Sequence, residues 1–158
     1  MPTYAKDTEV PIDRSKSEIE RILQRYGATA FMYGWNEGKA IIGFSLHSYQ
    51  YRIVLPLPAM KDFERTPARQ TKRSQSEMLK AYAQGTRQRW RALALWIKAV
   101  LEANEANIVT LEEALQAFVL LPNGRTVSEW LAPQLYEVYQ TGRMPPLLPG
   151  TSVEDDML

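Results

Sequence analysis

The sequence predicts an α+β protein: an N-terminal helix, a three-stranded antiparallel meander, a long amphipathic helix, then two shorter C-terminal helices and an extended tail. Three observations carry this. Apolar residues recur at helical spacing near the start, three short aromatic and β-branched runs follow between turn residues, and a helical pattern of about thirty residues then occupies the middle of the chain. With 158 residues, one ordinary domain is expected over residues 1–150, with a flexible acidic tail over 151–158.

The first helix is expected to begin after Ser15, because Ser15 and Glu18 have the spacing of a capping box. Ile19, Ile22, Leu23 and Tyr26 then form one apolar stripe, and Gly27 is placed to end the helix in a left-handed cap. "TAFMYGW", "KAIIGFSL" and "YQYRIVLPL" read as the strands, separated by "NEG" and "HS". Pro56 and Pro58 end the third, since proline cannot donate to a ladder. Phe31, Tyr33 and Trp35 alternate and therefore share one sheet face, where core packing is favoured over an exposed row that stacks bases.

From Ala59 to about Ser74 the chain turns polar and basic, and reads as a long, mobile connecting loop. The long helix is expected from about Gln75 to about Asn104, with Gly85 as its weak point. Thr110 with Glu113 and Thr126 with Glu129 are two further capping boxes, the first opening a helix through "LEEALQAF". A turn falls at Pro122-Asn123-Gly124, and Pro133 should kink the last helix or delay its regular start. After Gly142, "RMPPLLPGTSVEDDML" reads as an extended arm ending in acids.

Composition excludes several classes of function. No apolar run approaches the roughly 20 residues needed to span a bilayer. The N-terminus lacks the apolar stretch of a secretory signal and there is no cysteine, so a cytoplasmic location is the default expectation. His47 is the single histidine, which removes imidazole-pair metal sites and a Cys-His dyad. No phosphate-binding P-loop, dinucleotide-binding glycine turn or nucleophile elbow occurs. A carboxylate-only metal nuclease is not excluded by counting, since Glu112 with Glu113 and the run from Glu154 to Asp156 are acidic clusters. The first sits at a capped helix start, where acids favour the helix dipole, and the second in the tail. A non-enzymatic role without cofactor or metal is expected.

Charge is more informative locally than globally. The chain carries 19 lysines and arginines against 18 acids. From Lys61 to Lys98, however, ten cations stand against three acids. At about 100° per residue, Lys80, Arg87, Arg91 and Lys98 fall on one line of the long helix, with the apolar arc of Trp90, Leu93, Ile97 and Leu101 to one side. With Arg65, Arg69, Lys72 and Arg73 of the preceding loop, this stripe is the candidate nucleic-acid-binding surface, because cations along a rod neutralise phosphates and release their counterions. The competing reading is a solvated helix face. Arg89 projects toward the apolar arc and is expected to bridge a carboxylate or carbonyls.

The stretches "DTEVPIDRSKSEIERILQRYGA", "FMYGW", "RTPARQTKRS", "RQRWRALALWIKAVLEA", "LPNGRTVSEWLAPQL" and "MPPLLP" resemble a family of small uncharacterised proteins of bacteriophages, prophages and bacterial mobile elements. That resemblance implies a setting in the bacterial host cytoplasm and carries over no assigned activity or functional residues. It favours a non-catalytic accessory protein of DNA metabolism, with a protein-binding inhibitor or assembly factor, for example an anti-defence protein, as the alternative. The order helix, three strands, helix is also similar to the double-stranded RNA-binding domain. The extra C-terminal helices and long loop depart from that pattern, so its RNA specificity is not transferred. The expected partner is nucleic acid, DNA before RNA, or a protein; no membrane is implied.

Overall fold

A computed structural model describes residues 4–36 and 38–144. Its order is α1 (Ile12–Arg25), β1 (Ala28–Asn36), β2 (Lys39–Leu46), β3 (Tyr49–Pro56), α2 (Gln75–Glu105), α3 (Leu111–Leu115) and α4 (Val127–Thr141). This is the expected α+β order, and among the described residues no helix is long and apolar enough to cross a membrane. The expected arm beyond Met144 and the acidic tail lie outside the described residues.

α1 starts earlier than expected. Pro11 is its N-cap, with φ −60° and ψ 151°, and no side chain caps it. The fixed φ of proline and its missing N–H suit a helix start, so the helix begins at Ile12 and Ser15 is an interior residue. There is no Ser15–Glu18 capping box: Ser15 is fully buried, its Oγ has no hydrogen-bond partner among the described residues, and Glu18 pairs with Arg91. Ile19 and Leu23 continue the buried line from Ser15 at four-residue steps. Gly27 turns the chain into β1 with φ +96°.

The sheet order is β1-β2-β3, antiparallel throughout. β2 alternates cleanly, with Ala40, Ile42, Phe44 and Leu46 buried, and Tyr51, Ile53 and Leu55 of β3 lie opposite them. Phe44 and Tyr51 stack at 5.0 Å across the strands. Onto this face α2 lays Thr86, Trp90, Leu93, Ala94, Ile97 and Leu101. Each large apolar side chain buried there stabilises by roughly 1.5–3 kcal/mol. Trp90 is 4% exposed, as its place on the apolar arc requires.

β1 lies beyond the shelter of the helices. Phe31 is half-buried, but Tyr33 and Trp35 are 52% and 83% exposed. They share the helix-side face as expected, yet are not core, because α1 covers only the start of the strand. The Lys16 ammonium lies 4.4 Å from the Tyr33 ring and 5.0 Å from the Trp90 ring, filling the margin between α1 and β1.

The stretch between β3 and α2 has more internal order than a plain loop. Met60–Phe63 form a 3-10 turn, and Arg65 and Lys72 pair as an isolated antiparallel bridge. Phe63 explains Gly85. A Cβ at that position would stand 2.6 Å from the Phe63 ring, so the glycine is a seat for the aromatic anchor of the loop and not merely a weak helical residue.

All three predicted or unpredicted polar starts downstream close by the same chemistry. Ser74 with Glu77, Thr110 with Glu113, and Thr126 with Glu129 form reciprocal capping boxes. "LEEALQAF" is shorter as an α-helix than expected, passing into a 3-10 turn at Gln116–Phe118. Val119 then pairs with Tyr51, and Leu120 N–H donates to Gln50 O at 2.8 Å, laying this segment beside β3. α4 starts on time at Val127 despite Pro133 within it. Proline leaves the carbonyl four residues earlier without its helical donor, and the Arg125 guanidinium supplies one, donating to Glu129 O at 2.9 Å.

Candidate nucleic-acid interface

α1 and α2 run side by side in the same direction. Ile12 lies near Arg87, Glu18 meets Arg91, and Tyr26 lies by Glu102 and Glu105. Between them is a groove of about 420 Å³, lined by Arg14, Arg21 and Arg25 from α1 and by Arg91 and Lys98 from α2. Two carboxylates, Glu18 and Glu102, share it, leaving a net of three positive charges.

Helical periodicity explains this convergence. Arg14, Arg21 and Arg25 are separated by seven and four residues, the same steps that separate Lys80, Arg87 and Arg91. Those steps return to nearly one direction on a helix. Two parallel helices therefore each present a basic line, and the lines face a common groove.

The cations in it are held differently. Arg91 is bound to the Glu18 carboxylate, which fixes its position and removes much of its free charge. Among the described residues, Arg14, Arg21 and Lys98 make no hydrogen bond or ion pair. Arg25 lies over the Tyr26 ring at 5.9 Å. Past Lys98 the field reverses. Burial first, then the Glu105 carboxylate and next Glu102, push the Tyr26 phenol above its ordinary value, marking an acidic end to the groove.

The remaining stripe residues lie N-terminal to this groove. Arg87 donates to the Gln84 side chain, next to Ile12 at the start of α1. Lys80 is exposed one turn from Glu77, whose carboxyl is held below the ordinary range mainly by the Ser74 backbone N–H and hydroxyl. Arg89 behaves as expected, donating to the carbonyl of Pro56 at 3.2 Å.

The loop cations are not brought onto the stripe. Gly85, where Phe63 docks, is five residues past Lys80, about 140° round the helix from the basic line. The loop thus meets α2 on the side away from α1. Arg73 donates to the carbonyls of Phe63 and Arg65, at 3.1 and 3.0 Å, and Arg65 donates to Gln70 O at 2.9 Å. Those two guanidinium groups hold the loop in shape. Arg69 and Lys72 are exposed but stand apart from the groove.

His47 occupies the β2–β3 turn with φ 53°, and its Nδ1 lies 3.5 Å from Glu112, both side chains exposed. Among the described residues no three His, Asp or Glu side chains gather as metal ligands. Comparisons of the chain with protein-family models, curated proteins and solved structures find no match.

Proposed function

We propose that this protein is a non-catalytic nucleic-acid-binding accessory protein, which seats a phosphodiester backbone, DNA before RNA, along the α1–α2 groove. The observation that carries the reading is the convergence of Arg14, Arg21, Arg25, Arg91 and Lys98 from two parallel helices. Guanidinium groups suit this role because their planar forks match phosphate oxygens. Lys80 and Arg87 extend the line to about 27 Å, at 1.5 Å per residue from Lys80 to Lys98. The resemblance to phage and mobile-element proteins supports a place in DNA metabolism within a bacterial cell.

The test is a salt series with fluorescent single- and double-stranded DNA and RNA of equal length. Affinity should fall linearly on logarithmic axes, with a slope of about −3 for duplex DNA and about −2 for single strands, as expected for roughly three neutralised phosphates. Failure to bind any of these polymers at low salt overturns the reading.

A second reading, a protein-binding inhibitor or assembly factor, is favoured by α4. No residue of that helix is buried, and Leu135, Tyr136 and Tyr139 present apolar surface to solvent. Binding of a host or phage protein, unaffected by polyanion competitors, would support it over the first.

A further inference from the structure

We propose that the chain forms a two-fold dimer by antiparallel pairing of β1 with β1 of a second copy, centred on Tyr33. The proposal stands independently of what the groove binds. Among the described residues nothing pairs with the outer edge of β1, a strand of nine residues. An open edge presents unpaired N–H and C=O groups, and proteins ordinarily guard one with lysine, proline, inward charges or a covering element. Its sequence, Ala-Thr-Ala-Phe-Met-Tyr-Gly-Trp-Asn, contains no charge and no proline.

Side chains on both faces of the strand are exposed: Met32 at 71% on one, Tyr33 and Trp35 on the other. The strand's own residues carry no charge, so those paired across the axis would not repel, and Lys16 of α1 lies over the Tyr33 ring on the helix side. These features fit a second copy of the same surface, as an isologous dimer requires.

The register follows from the strand itself. An irregularity between Ala28 and Ala30 ends the regular pairing, leaving Ala30 to Asn36 as the regular stretch, with Tyr33 at its midpoint. A two-fold axis normal to the sheet through Tyr33 uses that whole stretch. On one face it sets Met32 opposite the partner's Gly34, large against small. On the other it sets Phe31 opposite the partner's Trp35, an aromatic cross-strand pair. Centring on Met32 instead would set the two methionines against each other and Ala30 against glycine, leaving a gap.

The absence of cysteine makes the register directly testable. By light scattering after size exclusion at about 100 µM, a concentration reached by weak specific dimers, the full chain should show about twice its 18.1 kDa mass. Tyr33→Lys, a change at a half-exposed site, should shift it to monomer with unchanged circular dichroism, because two ammonium groups would face each other on the axis. Under mild oxidation Tyr33→Cys should cross-link, while Trp35→Cys should not, since its two copies would lie roughly 13 Å apart. A monomeric mass at that concentration overturns the proposal. So does a dimer in which Trp35→Cys cross-links as fast as Tyr33→Cys, and this pair decides the matter even if Tyr33→Lys unfolds.

Discussion

The α1–α2 groove and the 65–73 loop are both rich in arginine, and the fold uses them in opposite ways. In the groove, Arg14, Arg21 and Lys98 make no ion pair among the described residues and converge from two helices. In the loop, Arg65 and Arg73 direct their donors to nearby carbonyls and hold the chain in shape. The lesson is that cations become a binding surface when rigid elements aim them at a shared space, and become scaffolding when the nearest acceptor is their own backbone.

Charge reversal gives the largest expected contrast. Arg21→Glu with Lys98→Glu, both exposed and outside the core, should weaken low-salt polyanion binding by about 100-fold, at about tenfold per lost and reversed contact. Arg69→Glu with Lys72→Glu removes the same charge from the loop and should change affinity by less than about threefold. Equal losses measured by anisotropy would erase the distinction between the regions.

A smaller effect concerns the loop as scaffold. Gly85→Ala improves helix propensity by about 1 kcal/mol but must displace the Phe63 ring, at a cost of similar size. Global stability should therefore change by no more than about 1 kcal/mol. Limited trypsin digestion should nevertheless cut faster after Lys61, Arg65, Arg69 or Arg73, with polyanion affinity retained. Unchanged cleavage would mean that Phe63 does not anchor the loop.

The smallest effect is on pH dependence. Glu77, Glu113 and Glu129 are each held below the ordinary carboxylate range, chiefly by the backbone N–H of their cap residue. A lowered folded value means that the stabilisation is present above the unfolded value near 4.3 and is lost as pH falls through the folded ones. Thr110→Ala should cost about 1 kcal/mol at neutral pH, measured by denaturant unfolding, and less at acid pH where its reciprocal carboxylate is protonated. A cost that grows on acidification would contradict the capping account.

The fold was largely legible because its signals are local. Turn residues, alternation in β2 and β3, and the Thr110 and Thr126 caps act within a few positions of the elements they define. The groove was only half legible. Starting α1 after Ser15 leaves Arg14 outside the helix, so the spacing of Arg14, Arg21 and Arg25 loses its meaning as a face; Pro11 is the signal that restores it. The exposure of Tyr33 and Trp35, and the docking of Phe63 on Gly85, depend on how far α1 reaches and where the loop lands. Neither distance is written in local pattern.

Glu129 joins three attachments at the base of α4. Its carboxylate accepts from Thr126 N–H at 2.8 Å and from Arg52 at 2.6 Å, while its carbonyl takes the Arg125 guanidinium. No residue of the helix is buried, although Leu131, Gln134 and Val138 are half-buried along one side and the Gln116–Phe118 turn packs against it. One carboxylate thus serves two masters, closing the cap that starts α4 and tying that cap to β3 through Arg52. Losing it would undo the helix start and its tether to the sheet together.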